Sequence, residues 1–450
     1  MCERDPAPSG YRKVKAGRMM KILMFTNTYT PHVGGVARSV SELAAGLRRA
    51  GDEVMVVAPE YGNAAIEEPG VRRIPAVQNF AGSDFSVPLP LSPGLAEATE
   101  AFDPDIIHSH HPFLLGDTAL RTASLLDVPV VFTHHTRYEL YGHYVAQDSE
   151  LLKRLALSLS LGYCDLCDGV IAPSRSIADF LADHGVRTPV TVVPTGVDVS
   201  CFAAGERQRG RSALSIPDDV FLAGHVGRLA PEKNLAFLTD AFLLFLRRNP
   251  AAHVLVVGDG PSRPAMQQAL ESEGMGNRTH FAGVLKGEAL ADAYAAMDVF
   301  AFSSFSETQG LVLVEAMTTG SPVVALDAPG ARDVVTDGLN GRLLDAETDV
   351  AGFAAALEAF AAAGESGQQA MRRAALETAA DYAIDKTVAR TRAYYRQILA
   401  GDRGHGAEDG GLWGRARRAL AREMEILGNF AYAAADAILP DDEGEPDKHG

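Results

Sequence analysis

Two carboxylates, Glu307 and Glu315, stand in the run Phe305-Ser306-Glu307-Thr308-Gln309-Gly310-Leu311-Val312-Leu313-Val314-Glu315-Ala316-Met317. The run follows Val299–Phe302, an apolar stretch that reads as a buried strand, and enters a short helix stopped by Gly320. Glu307 is then expected in a loop at a strand's C-terminal end, and Glu315 inside the helix that follows. Between them the helix start, at about Gly310 and Leu311, leaves backbone N–H groups unbonded. Such an end attracts phosphate through those donors and through its dipole. A diphosphate lying there leaves one carboxylate for a sugar on each side.

Other residue groups suit the same chemistry. Gly34-Gly35-Val36 opens a helix after the strand Ile22–Phe25, and paired glycines let a backbone approach a ligand closely. Gly227-Arg228-Leu229-Ala230-Pro231-Glu232-Lys233-Asn234 follows another strand. Arg228 offers a planar fork and Lys233 a mobile point charge, the two cations that best meet a departing diphosphate in a partly dry cleft. Val254–Pro261 is a strand with a Gly258-Asp259-Gly260 turn, but Arg263 stands where a dinucleotide fingerprint needs its last glycine. His108, His110 and His111 end one strand, and His134 and His135 end another. The context of a closed metal site is missing around them, so no metal is expected. Cys164 and Cys167 have a redox or half-zinc spacing but no second pair, and read as packing.

The elements that must position these groups alternate. Ile22–Phe25, Val54–Val57, Ile106–His108, Val130–Thr133, Gly169–Ala172 and Thr191–Val193 read as one set of strands. Phe221–Val226, His253–Val257, His280–Phe281, Val299–Phe302 and Pro322–Ala325 read as a second set. Amphipathic helices lie between them, which implies two mostly parallel, doubly wound α/β sheets, with ligands at the C-terminal ends of their strands. The expected division is a flexible segment over 1–18, a first Rossmann-like domain over 19–196, a second over 197–380, a helix over 381–400, and a linker, helix and acidic tail over 401–450.

At 450 residues, 47% hydrophobic and 22% charged, the chain has the composition of a globular two-domain protein. The net charge of −17 argues against nucleic acid. No apolar run is long enough to span a membrane, and residues 1–18 lack the apolar core of a secretory signal. Met19 and Met20, just ahead of the first strand, are alternative starts. The four cysteines form no disulfide framework, which points to a reducing cytoplasm. Near the C-terminus, Trp413, Ala416, Leu420, Met424, Leu427, Ala431, Ala434 and Ile438 form a helical apolar stripe, with Arg415, Arg417, Arg418 and Arg422 around its first half. Such a helix suits docking on its own protein, a partner chain or a membrane surface.

The wording around Glu307 and Glu315, with the Gly-Arg-Leu…Glu-Lys-Asn segment, resembles glycosyltransferase family 4, the retaining enzymes of the GT-B fold. The resemblance covers about residues 20–400. Thr133-His134-His135-Thr136-Arg137-Tyr138-Glu139-Leu140-Tyr141-Gly142-His143-Tyr144 is similar to the matching stretch of the family's diacylglycerol glucosyltransferases. The family implies two Rossmann-like domains facing a cleft, with the helix over 381–400 crossing back to the first. It implies metal-independent transfer of a hexose, with UDP-glucose as donor and a membrane lipid such as diacylglycerol as acceptor, and no cofactor. GDP-mannose-dependent α-mannosyl transfer to a soluble or phosphoinositide acceptor is the main alternative, and a GT-B sugar-nucleotide epimerase a distant one. By the same resemblance His135, Glu307, Arg228 and Lys233 are catalytic, and Glu315 meets the ribose. Gly34, Gly35, Gly258, Gly260, Val284, Leu285, Thr308, Gln309, Gly310 and Leu311 complete the donor site. His110, Arg137, Tyr138, Tyr141 and His143 face the acceptor, with peripheral contact at the inner face of the cell membrane.

Overall fold

The structure is a computed structural model that describes residues 18–32, 34–61, 68–77, 87–88, 94–138, 150–401 and 412–438. They fall into two compact units: one holds the chain to Ala172, Asp179–Thr191 and the chain from Arg392, the other Pro173–Ala178 and Val192–Thr391. The expected first domain, 19–196, includes residues 173–178 and 192–196, which the structure groups with the second unit. In the structure Ser174 and Ser176 bond to Thr308 and Asp333, and so join the second unit.

The first unit is built on β1 (Lys21–Phe25), β2 (Glu53–Pro59), β3 (Val71–Ile74), β6 (Ile106–Ser109), β7 (Val130–Thr133), β8 (Gly169–Ala172) and β9 (Val190–Val192), with a short antiparallel pair, β4 (Ala76–Val77) and β5 (Val87–Pro88), beside them. The seven strands run in the order β3-β2-β1-β6-β7-β8-β9. The second sheet comprises β10 (Phe221–Val226), β11 (Ala252–Val257), β12 (Thr279–Gly283), β13 (Val299–Phe302), β14 (Val323–Leu326) and β15 (Gly341–Leu344), in the order β12-β11-β10-β13-β14-β15. The strands from β3 to β8 in the first sheet, and all neighbours in the second, pair in parallel.

The β-branched strands are covered on both faces, as parallel sheets require. In the second sheet the alternation sorts Leu222, Leu255, Val257, Phe300, Phe302 and Val323 into one apolar layer. Ala223, Val254, Val256, Val299, Ala301 and Val324 fall in the other. The helices that cover these faces, in chain order, are α1 (Gly35–Arg49), α2 (Leu95–Phe102), α3 (Leu115–Leu126), α4 (Glu150–Asp165), α5 (Arg175–Asp183), α6 (Val199–Ala203), α7 (Arg207–Ala213), α8 (Leu235–Arg248), α9 (Arg263–Ser272), α10 (Gly287–Ala296), α11 (Leu311–Thr318), α12 (Val350–Asp381), α13 (Ile384–Ala400) and α14 (Leu412–Ile438).

Helix α13 starts in the second unit and ends in the first. There Tyr394 donates its hydroxyl to the Pro189 carbonyl at 3.0 Å, and Arg392 pairs with Asp52 at 2.8 Å. In both sheets the strand order reverses beside the first strand, between β1 and β6 and between β10 and β13. Loops leaving such a reversal diverge, and the crevice at their base is the usual ligand site of open α/β sheets.

Candidate functional site

In the second unit the loops after β10 and β13 are tied together. Ser303 donates its hydroxyl to the carbonyls of Lys233 and Asn234, both at 3.1 Å, and Ser306 donates to the Glu232 carbonyl at 3.2 Å. This brings Lys233 Nζ to 2.5 Å from Glu307 Oε1, with the Ser306 hydroxyl at 3.4 Å. The side chains of Lys233 and Glu307 remain 15% and 23% exposed, so the pair is reachable from outside. Arg228 is 51% exposed and lies 3.6 Å from Glu232. Gly310 takes the left-handed conformation (φ 70°) as the N-cap of α11, and Leu311 is its first helical residue. Among the described residues no side chain caps α11 and no acidic residue stands in its first turn, so the helix end suits an anion.

The remaining residues of this loop face inward. Gln309 is 2% exposed, and its carboxamide accepts from Thr195 N at 2.6 Å and donates to Thr195 O at 2.8 Å. The Thr308 carbonyl accepts from Ser174 at 2.6 Å. Glu315 is 3% exposed, with Tyr294 donating its hydroxyl to Oε2 at 2.7 Å.

Gly258 and Gly260 support the site from behind. Their φ values of 131° and 153° suit glycine, and a Cβ on either would strike the carbonyl oxygen of Gly227 or Leu229. The turn is laced to the Arg228 segment by Gly227 N to Val257 O at 3.0 Å and Leu229 N to Asp259 O at 2.9 Å. Val284 is 56% exposed, and Leu285 packs on the core. His225, on β10, escaped the sequence reading. It is buried, its Nδ1 lies 3.1 Å from the Ala301 carbonyl, and burial pushes its imidazole down to about 4, with Lys233 adding to the fall. Its signal was its place three residues before Arg228, on the same strand end.

In the first unit the loop after β6, at the reversal, and the loop after the neighbouring β7 carry histidines instead of charge. His108 is buried, its Nε2 2.7 Å from the Thr133 hydroxyl and its Nδ1 2.5 Å from the Tyr395 hydroxyl, and burial pushes it down to about 3. His110 Nδ1 lies 3.0 Å from His135 Nε2, and burial, then the neighbouring histidines, lowers both well below the ordinary value. His111 Nδ1 accepts from Asn27 N at 3.1 Å, tying this loop to the one after β1. His134 is a core residue at 3.2 Å from the Ser160 hydroxyl, lowered by burial to about 4. Among the described residues no three His, Cys, Asp or Glu converge as metal ligands would. Arg137 stacks over Phe180 at 4.8 Å, and Tyr138 meets Phe113 edge-on at 5.0 Å. Tyr141 and His143 lie outside the described residues. Gly34 is extended at the N-cap of α1, and among the described residues no atom lies within 4 Å of a Cβ placed on Gly35.

Cys164 and Cys167 are buried free thiols at the end of α4, both raised by burial.

Known proteins resemble this chain in sequence and in fold. Residues 33–200 match Glycosyltransferase Family 4, and residues 221–362 match Glycosyl transferases group 1. The alpha-monoglucosyldiacylglycerol synthase of Streptococcus pneumoniae is 31% identical over 368 residues, 80% of this chain and 83% of that one. The chain belongs to glycosyltransferase family 4. A second relative of this glycosyltransferase, the GDP-mannose-dependent alpha-mannosyltransferase of Mycolicibacterium smegmatis, is 34% identical over 76% of this chain and 87% of its own. Among solved structures, Anabaena HepE in complex with UDP superposes with a TM-score of 0.67 at 20% identity, over 84% of this chain and 100% of that one. Sucrose-phosphate synthase from Thermosynechococcus elongatus gives 0.69 at 21% identity, over 84% and 99%. The fold is GT-B, and the chain is a hexosyltransferase.

Proposed function

We propose that this glycosyltransferase moves glucose from UDP-glucose to a lipid acceptor such as diacylglycerol, with retention at the anomeric carbon and without a metal. The observation that carries the reading is the Lys233–Glu307 pair beside the open N-terminus of α11, at the strand-order reversal of the second sheet. With donor bound, the diphosphate takes Lys233 and Arg228, and Glu307 is released to the hexose hydroxyls. The glycosidic C–O bond then breaks while the acceptor oxygen bonds to the same face, and the acceptor's proton passes to the departing phosphate oxygen. Arg228, Lys233 and the helix end meet the charge that develops on that phosphate, where fixed cations act more strongly than water. Glu315, opposite Tyr294, is assigned the ribose. His135, held neutral beside His110, orients the sugar and turns its backbone carbonyl toward the positive charge on the anomeric carbon. Gly34 and Gly35 take the other side of the diphosphate, with His110, Arg137, Tyr138, Tyr141 and His143 toward the acceptor.

The choice of acceptor follows the Thr133–Tyr144 stretch and the synthase relative. No helix among the described residues is long and apolar enough to cross a membrane, so this reading has the chain meet its lipid peripherally, at the cytoplasmic face. A second reading, mannose from GDP-mannose to a soluble or phosphoinositide acceptor, is favoured by the higher identity to the mannosyltransferases.

A panel of nucleotide sugars screened by thermal shift separates the two, since donor binding raises apparent stability by mass action. UDP-glucose is expected to stabilise most, and product to form on diacylglycerol vesicles in EDTA. Stabilisation by GDP-mannose alone selects the second reading, and an absolute need for added Mg²⁺ or Mn²⁺ overturns the metal-free mechanism.

A further inference from the structure

The buried histidines of the first unit are joined to a sequence-distant helix by one side chain. Tyr395, on α13, is fully buried, and its hydroxyl lies 2.5 Å from His108 Nδ1, 287 positions away in sequence. The other ring nitrogen of His108, Nε2, lies 2.7 Å from the Thr133 hydroxyl at the end of β7. This imidazole is therefore held at both nitrogens. The Tyr395 ring also meets it edge-on at 5.6 Å, which sets the tilt of the imidazole plane. All of these residues lie in the first unit.

The two hydroxyls are not equivalent. A phenol is a far stronger acid than an alkanol, so Tyr395 donates to Nδ1, and the imidazole proton stands on Nε2 and points to Thr133. The reverse tautomer would strand the more acidic of the two hydroxyl protons in a buried place. Thr133 stands two residues before His135, so the same ring braces the strand end that carries His135.

A second route runs through ring contact. His110 lies against His108 with ring centroids 4.0 Å apart, and its Nδ1 is 3.0 Å from His135 Nε2. His110 is buried, and its Nε2 has no hydrogen-bond partner among the described residues. One of its two nitrogens is thus anchored, on His135, and the pose of that pair depends on the His108 ring beside it. Tyr394, the preceding residue of α13, donates instead to the Pro189 carbonyl at 3.0 Å, just before β9.

We infer that Tyr395 is a positioning residue for the transfer reaction: its hydroxyl fixes the tautomer and ring plane of His108, and through that ring the pose of His110 and His135. The inference rests on the proposed place of His135 at the donor sugar. Tyr395 itself meets no substrate in it, and its effect arrives through the imidazoles.

Tyr395→Phe keeps the ring and removes only the hydroxyl. Turnover is read as release of nucleoside diphosphate on vesicles carrying diacylglycerol or phosphoinositide, with whichever of UDP-glucose and GDP-mannose stabilises the chain. The variant's kcat is expected to fall about 10-fold or more while the donor KM stays within about 2-fold, since misplacement costs rate more than ground-state binding. Tyr394→Phe is the matched control. It loses a hydrogen bond on the same helix and is expected to lower the melting temperature as much, yet to keep the wild-type kcat. Nitrogen-15 spectra of histidine-labelled chain, with His108→Asn to assign the signal, are expected to show the His108 proton on Nε2 in the wild type and mixed tautomers in Tyr395→Phe. A kcat for Tyr395→Phe equal to that of Tyr394→Phe, beside an impaired His135→Ala, overturns this inference alone. A His108 proton on Nδ1 in the wild type also overturns it, without relying on the Phe variant. Wild-type turnover of His135→Ala removes the reading of His135 at the sugar, and the inference falls with it.

Discussion

In both units the strand order reverses beside the first strand, and in both the loops that leave there carry the polar residues. After β10 and β13 those residues are ionised and partly open, with Lys233 on Glu307 and Arg228 half exposed beside them. After β6, and after β7 next to it, stand histidines held neutral by desolvation and bonded to Thr133, Tyr395 and each other. One topology therefore supports two chemistries. The second unit presents fixed charge, while the first keeps neutral histidines bonded within the protein. The glycines differ in the same sense. Gly258 and Gly260 are demanded by the protein's own backbone, whereas none of the described residues crowds Gly35.

The largest effect should come from the charged pair. Lys233→Ala is expected to lower kcat/KM about 100- to 1000-fold and to weaken UDP binding, because in the proposed reading that cation meets the diphosphate in both ground and transition states. Glu307→Gln should cut turnover about 30- to 1000-fold, or ~2–4 kcal/mol, yet leave UDP affinity equal or tighter, since Lys233 loses its competitor. Calorimetric titration with UDP beside steady-state rates reads both. Equal activity of the two variants and the wild type would erase the contrast between the units.

The glycines sharpen it. Gly258→Ala puts a Cβ 1.9 Å from the Gly227 carbonyl oxygen at φ 131° and should destabilise the second unit by at least about 2 kcal/mol. Gly35→Ala should leave thermal stability unchanged or raised, since alanine favours a helix by about 1 kcal/mol, while UDP-glucose binding falls. Thermal melting with and without donor separates the two, and a Gly35→Ala protein that binds donor normally removes α1 from the site.

Acid should act mainly on the first unit. His108 and His111, near 3, and His134, near 4, lie below the ordinary 6.5 in the folded chain, whereas His225, near 4, stands in the second unit. The unfolded chain binds these protons first, so stability is full above pH 6.5 and falls as pH drops from 6.5 toward 4. The slope is about 1.4 kcal/mol per pH unit for each such histidine. Urea denaturation from pH 7 to pH 5, followed by hydrogen exchange, should show β6 and β7 losing protection before β10 and β13. The reverse order would place the histidine burial in doubt. The smallest effect is expected from Arg228→Ala. Its side chain is 51% exposed and already beside Glu232, so UDP affinity should fall by no more than about 10-fold.

Much of this was legible in the sequence because the informative residues stand in loops right after apolar runs. Glu307, Arg228 and Lys233 are polar residues at strand ends, and period and punctuation place them. The edge strands Val71–Ile74 and Gly341–Leu344 escaped, since an edge is short and polar and lacks the β-branched run of a central strand. Burial of polar groups was equally hidden. Arg211 reads as the end of a polar stretch, yet it is fully buried, with Pro217, Asp218, Val220 and Ala296 carbonyls and the Asp298 carboxylate taking its donors. Gln309 reads as a ligand contact, and its carboxamide is instead occupied by Thr195. For α14 the period was visible but not its facing: Ile426, Ala433 and Ala437 are buried, whereas Leu420, Met424 and Leu427 are exposed, and both sets are apolar.

That occupied carboxamide ties together two things the chain keeps far apart in order. Thr195 lies where the backbone enters the second unit, and Thr387, near where it leaves, donates to the Pro194 carbonyl at 2.7 Å. Gln309 stands two positions from Glu307 and grips that same junction from the other side. The doorway and the carboxylate are thus one mechanical part. A substitution selected to ease the passage at Thr195 would also loosen the aim of Glu307, so drift at the junction is policed by turnover even though no residue of the junction needs to touch a sugar.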